Sequence, residues 1–217
     1  FAPGINDKSD VVGLPSDPSC GGGTGCDSPF TQIDTRNLYF QFGNTEWGTV
    51  KLGRDIGLFG QKIILSDMTL LGLGGNSYAS TPFNTTFGMI GHGYMYTGFQ
   101  PQITYTTPSL GGLQASVGVF QPLSSLTGAP QNNKAPGFQG KLAWDGKLGD
   151  VAVHGWMSGI SQRHNALTGL SYTGQGVDLG AKVTGGPLTV TGYWYTAKGL
   201  GTTVLNLFDT DAAGNPR

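Results

Sequence analysis

Along most of the chain the apolar residues fall on every second position. Leu38, Phe40 and Phe42 alternate with Tyr39 and Gln41, and Val50 and Leu52 with Thr49 and Lys51. Ile103 and Tyr105 are interleaved with Gln102, Thr104 and Thr106, and Leu113, Ala115, Val117 and Val119 with Gln114, Ser116 and Gly118. The same beat returns in Phe138, Leu142 and Trp144 against Gln139, Lys141 and Asp145, and in Val151 and Val153 beside Ala152 and His154. Val177, Leu179, Ala181 and Val183 alternate with Asp178 and Lys182, and Leu188, Val190 and Trp194 with Thr189, Thr191 and Tyr193. Period two marks a strand with one apolar and one polar face. The pattern predicts eight strands, near residues 35–43, 47–54, 97–107, 112–120, 138–145, 149–157, 175–184 and 187–196.

The connections sort by length. Short ones are expected at 43–46, 108–112, 145–149 and 184–186, long ones at 54–96, 121–137, 158–174 and after 196, with 1–34 reading as a further long loop. Short turns at one end and long loops at the other characterise an up-and-down membrane barrel, whereas Greek-key sandwiches do not sort their loops in this way. The expected fold class is therefore all-β, an antiparallel up-and-down transmembrane β-barrel with a polar face lining water. The segment 55–96 needs its own reason, because loops of such length without function are uncommon. It is apolar in places, as in Ile63-Ile64-Leu65 and Met68-Thr69-Leu70-Leu71-Gly72-Leu73. Folding inward against the barrel wall would bury these residues and narrow the pore.

Composition sharpens this picture. Of 217 residues 38 are Gly and only 12% are charged, with a net charge of −1, which leaves few ions to solubilise a surface. There is no basic excess to attract nucleic acid and no acidic tract to form a disordered tail. No run of about 18 apolar residues occurs, which excludes a membrane-spanning helix, while strands need only about 9–11 residues of alternating character. The sequence starts at Phe1 with no signal segment and stops at Arg217 inside what reads as a loop. Both ends are expected to be truncations of a single barrel domain that fills 1–217.

Few positions offer other chemistry. Cys20 and Cys26 flank a glycine-rich spacer with no nearby His, which favours a small loop disulfide over a metal or redox pair and implies an oxidising compartment. His92, His154 and His164 lack metal-ligand spacing, and Asp209-Thr210-Asp211-Ala212-Ala213-Gly214 has Ala where a calcium loop needs a third oxygen ligand. Asn84-Thr85-Thr86 fits a glycosylation sequon by chance. No G-x-S-x-G motif is present, and Gly72-Leu73-Gly74-Gly75 lacks the strand-to-helix setting of a nucleotide loop. No catalytic residue, metal or cofactor is expected. The polar faces place Lys51, Gln102, Lys141, His154, Asp178 and Lys182 along a lumen with a modest basic excess, so a weak anion preference is expected.

Four segments in order resemble the general porins of proteobacteria. Arg36-Asn37-Leu38-Tyr39-Phe40-Gln41-Phe42 resembles an "R-x-x-Y/V-x-x-L" strand. Trp47-Gly48-Thr49-Val50-Lys51-Leu52-Gly53-Arg54-Asp55 resembles the "(F/W)-G-x-(V/L)-x-L-G-R" segment before the constriction loop. Ser66-Asp67-Met68 with Gly74-Gly75 resembles the acidic tip of that loop, and Tyr105-Thr106-Thr107-Pro108-Ser109-Leu110-Gly111-Gly112-Leu113 the "Y-x-S-P-x-F-x-G" periplasmic turn. The resemblance covers residues 36 to 120, and beyond that only the strand rhythm continues.

The resemblance implies a sixteen-stranded barrel, of which about half is present. It implies a homotrimer in the outer membrane, in contact with lipid and lipopolysaccharide, that passes small hydrophilic solutes and ions by passive diffusion. Residues 55–96 become the constriction loop, with Arg54 and Arg36 as basic eyelet residues and Asp67 as their acidic counterpart. Two positions depart from the family pattern. The second acidic loop position falls at Leu71-Gly72, and Gln100 is the nearest residue to a basic position of many members. Arg54 shares even numbering with Val50 and Leu52, and Arg36 with Leu38 and Phe40. A bulge or strand exit at Gly53 would aim Arg54 into the lumen, and without one it would snorkel at the outer rim. The alternative from another class is a secreted β-rich binding or adhesin module whose long loops carry recognition, which would stay in solution without detergent.

Overall fold

The computed structural model describes residues 2–3, 33–34, 37–68, 93–123, 132–165, 169–201, 205, 210 and 215–217. Two short strands, β1 (Ala2–Pro3) and β2 (Ile33–Asp34), pair with each other. The eight predicted strands follow as β3 (Leu38–Asn44), β4 (Gly48–Ile56), β5 (Phe99–Thr106), β6 (Leu113–Phe120), β7 (Gly137–Leu148), β8 (Val151–Asn165), β9 (Ser171–Gly185) and β10 (Leu188–Lys198). They form one antiparallel sheet in chain order, each strand bonded to its sequence neighbours, and β3 and β10 are its open edges. One turn of helix, α1 (Gln61–Ile64), follows β4.

Register turns the alternation into two faces, because cross-strand partners share a side of the sheet. One row runs Phe40, Leu52, Ile103, Val119, Phe138 and then Ser161, Gln175 and Lys198. The next outward row runs Phe42, Val50, Tyr105, Val117, Gly140, Gly159, Val177 and Thr196. Between them, on the opposite face, lies Gln41, Lys51, Thr104, Gly118, Gln139, Ile160, Gly176 and Ala197. The apolar face is uncovered: Phe40 is 64% exposed, Ile103 58%, Phe138 57% and Val117 58%. Leaving such side chains in water forfeits about 1.5–3 kcal/mol each, so this face demands an apolar solvent.

The turns at one end are short. Asn44 Oδ1 accepts the N–H groups of Glu46 and Trp47, at 2.9 and 3.0 Å, and closes the β3–β4 turn. The β7–β8 and β9–β10 turns open on Gly149 and Gly186, whose φ angles of 63° and 54° suit the tight hairpins that match strand twist.

Three strands run longer than the alternation predicts. β7 continues past the expected turn at 145–149 to Leu148, β8 reaches Asn165, and β9 begins at Ser171, which leaves only 166–170 of the expected loop 158–174. The reason lies on the outward face. Beyond Met157 and Gly159 that face turns polar at Ser161 and Arg163, opposite Gln175 and Thr173, while the ladder continues unbroken to Asn165↔Ser171. Hydrophobic period is lost there, but pairing is not. On β8 the apolar stretch from Val151 to Gly159 spans roughly 27 Å of strand, or roughly 21 Å along a membrane normal at a ~40° tilt, close to the ~25 Å band of membrane barrels.

The buried apolar residues sit on the polar face, where connecting segments lie against the sheet. Phe59, Met95, Ile160, Leu200 and Leu205 form one cluster, and Ile63, Ile64, Tyr94, Ala143 and Trp156 a second.

Candidate functional site

Where β4 ends, the chain turns onto the polar face and is tied down by backbone donors. The N–H of Gly57 donates to the carbonyl of Gly98, at 3.0 Å. Those of Leu58 and Phe59 both donate to Oε1 of Gln139 on β7, at 2.7 and 3.0 Å. The Gln139 amide donates in turn to Oε1 of Gln100 on β5, at 3.1 Å. Gly60 holds a left-handed conformation, φ 71°, in which an added Cβ would meet the Met95 carbonyl at 2.8 Å, and its N–H reaches Oδ2 of Asp178 on β9 at 3.0 Å. α1 then turns Ile63 and Ile64 onto Ala143 and Trp156, and Lys141 Nζ donates to Gln61 Oε1. Apolar side chains and paired backbone polar groups together fix this segment across β5–β9.

Asp178 is 2% exposed and accepts from Ser158 Oγ at 2.5 Å and Tyr193 OH at 3.0 Å, in addition to Gly60. Three donors on one carboxylate make it the strongest polar tether of the segment. A second acidic group, Asp55, is buried at the end of β4, where it pairs with Lys51 and accepts from Asn37 Nδ2 at 2.5 Å. Lys51 also lies over the Tyr39 ring, 4.5 Å from its centre. Gln102 Nε2 donates to the carbonyls of Asp55 and Ile56, at 2.7 and 3.1 Å, and so holds the strand end. Asp67 accepts from Tyr94 OH at 2.5 Å. Nearer the short turns His154 pairs with Asp145 and packs at a tilt of 34° against Trp156, with ring centres 5.5 Å apart.

The register puts Lys51, Gln100, Gln102, Lys141, His154, Asp178 and Lys182 on one face. Asp67 stands over that face on the segment after α1, held by Tyr94. Arg54 occupies the other row, Leu38–Arg54–Pro101. No bulge re-aims it: Tyr39, Gly53 and Gln102 match one for one, and β4 runs on to Ile56. Arg36, Cys20, Cys26 and all of 69–92, His92 included, lie outside the described residues.

Alternation alone under-reads this site. Asp55 follows Lys51 at the same parity, a signal present in the sequence but overshadowed by Arg54. Gln139, Ser158 and Tyr193 lie on polar positions of their strands, yet nothing in one dimension shows that they converge on Gly60 and its neighbours. Lys62 comes from a segment with no period at all.

A family model described as Gram-negative porin matches residues 17–213. No curated protein and no solved structure gives a match.

Proposed function

The chain belongs to the Gram-negative porin family, and from that premise we propose that it forms part of a water-filled, trimeric outer-membrane channel for passive diffusion of small hydrophilic solutes and ions, with a weak preference for anions. Porins are channels rather than enzymes, and they work in the outer membrane. The observation that carries the reading is the division of one sheet into an uncovered apolar face and a polar face crossed by a tethered segment. The first suits lipid and the second suits a wall of a pore that residues 55–96 narrow. A soluble adhesin would leave the apolar face without a partner.

The anion preference rests on the balance of charge over the polar face. Among the described residues Lys51, Lys62, Lys141, Lys147 and Lys182 stand there against Asp55, Asp67, Asp145 and Asp178, an excess of one positive charge. In a narrow, poorly solvated passage each unbalanced charge biases permeation. The test is reconstitution of the full-length gene product in planar bilayers under a potassium chloride gradient. Discrete ohmic openings with a zero-current potential displaced weakly towards chloride are expected. A protein that partitions into water without detergent, or forms no conducting unit, would overturn the reading.

A further inference from the structure

Between α1 with the turn that follows it and strands β7–β9, the polar face forms an open groove of about 640 Å³ near the short turns. Lys62 comes from α1 and Ser66 from the turn after it, Asp145 and Lys147 from β7, His154 from β8 and Lys182 from β9. Loop and wall therefore bring charge of the same sign to one space, instead of opposing each other across it.

The carboxylates nearby are held in place by their partners, although among the described residues only Asp55 is paired with a lysine. Asp178 accepts from Ser158, Tyr193 and Gly60, Asp55 pairs with Lys51 and Asn37, and Asp67 accepts from Tyr94. Among the described residues Asp145 is the one carboxylate that lines the groove, where it pairs with His154, so three lysines face a single carboxylate. Among the described residues Lys62, Lys147 and Lys182 have neither ion-pair nor hydrogen-bond partner. Three lysines, each carrying three ammonium donors, thus line one solute-sized groove together with a serine hydroxyl. A single chloride satisfies few of these donors. A tetrahedral oxyanion presents several acceptors and more than one negative charge, and charge-assisted hydrogen bonds are the strong ones.

We propose that this groove is a transient binding site for small multivalent oxyanions, of which inorganic phosphate is the simplest, with Lys62 and Lys182 as its principal donors. The inference rests on the channel reading for its physiological sense: a solute held briefly inside the passage is concentrated there and released onward, provided that the site is weak. It does not rest on that reading for its measurement, because binding is read without current.

Two measurements on the full-length protein separate the possibilities. In bilayers, phosphate added to a chloride bath should lower chloride conductance along a saturable curve. In detergent, the phosphorus NMR line of inorganic phosphate should broaden on adding protein. Lys62→Gln and Lys182→Gln should each raise the half-saturating concentration about threefold, and together about tenfold, since both charges act through little water. Lys182→Arg should restore the effect, which a folding defect would not allow, and Lys198→Gln on the outward row should change nothing. A conducting protein with no saturable phosphate effect and no line broadening overturns the site and leaves the channel standing. A non-conducting protein that binds phosphate through Lys62 and Lys182 keeps the site and overturns the channel reading. Binding insensitive to both substitutions overturns the assignment to this groove.

Discussion

Asp178 on β9 accepts the backbone N–H of Gly60 at 3.0 Å, so a carboxylate in the barrel wall holds the chain that leaves β4, 118 residues away in sequence. Hydrogen bonds to a charged acceptor each contribute about 1.5–3 kcal/mol, and a donor left without its partner costs a similar amount. Asp178→Ala should therefore loosen the segment by about 2–4 kcal/mol, with Gln139 still holding Leu58 and Phe59. The expected outcome is a larger and noisier single-channel conductance with an unchanged β-rich circular dichroism spectrum. Conductance identical to that of the parent would mean that the apolar contacts of Phe59, Ile63 and Ile64 hold the segment unaided.

A second prediction uses the outward rows of β8 and β9. Met157 and Leu179 face each other inside the apolar band, two outward rows in from the row of Gln175, Ser161 and Lys198, where the band ends. A cation at mid-band meets hydrocarbon, at a cost of about 2–4 kcal/mol that falls to about 0–1 at the interface. Met157→Arg should lower folding stability by the larger amount in denaturant titrations from liposomes, and Gln175→Arg by the smaller. Equal effects would place the membrane boundary elsewhere.

These residues also show what one dimension carries. The eight strands and their order were legible because a barrel strand repeats one decision, lipid or water, every two residues, as Val177, Asp178 and Leu179 do. The far ends of β8 and β9 were not legible. There both faces are polar, as at Arg163 and Gln162, and only backbone pairing distinguishes strand from loop. The site was half legible for a related reason. Facing is local and can be counted along the chain, so Lys51, Lys141 and Lys182 could be assigned. Convergence is not local, and the meeting of Gln139, Asp178 and Tyr193 with Leu58 to Gly60 depends on where a long connection lands.

The cysteine pair lies outside the described residues, and its expected state rests on spacing. Cys20 and Cys26 have five intervening residues, three of them consecutive glycines, and so can reach the ~5.5–6 Å Cα separation of a disulfide without strain. The intact mass of exported protein should rise by about 2 Da on reduction. Two free thiols in that protein would exclude the bridge.

The last prediction separates family position from register. Arg54 occupies the place of a basic eyelet residue by its motif, yet its strand passes Gly53 without an extra residue and leaves it in line with Leu38 and Pro101. Lys51 lies on the other face, paired with Asp55 and over Tyr39. If facing decides, then Lys51→Gln should shift the zero-current potential towards cations, because it leaves the Asp55 carboxylate unbalanced inside the passage. Arg54→Gln should shift it much less, because a charge behind the strand acts through lipid headgroups and bulk salt, where screening operates within about 10 Å at 0.1 M. Both variants remove one positive charge from neighbouring positions of the same strand, so a general loss of net charge cannot account for a difference between them. Potentials should be taken at low and high potassium chloride, since an effect inside a narrow passage survives screening better than one at the rim. Equal shifts for the two would mean that the Arg54 side chain rounds the strand end into the eyelet, and that the motif outweighs the register.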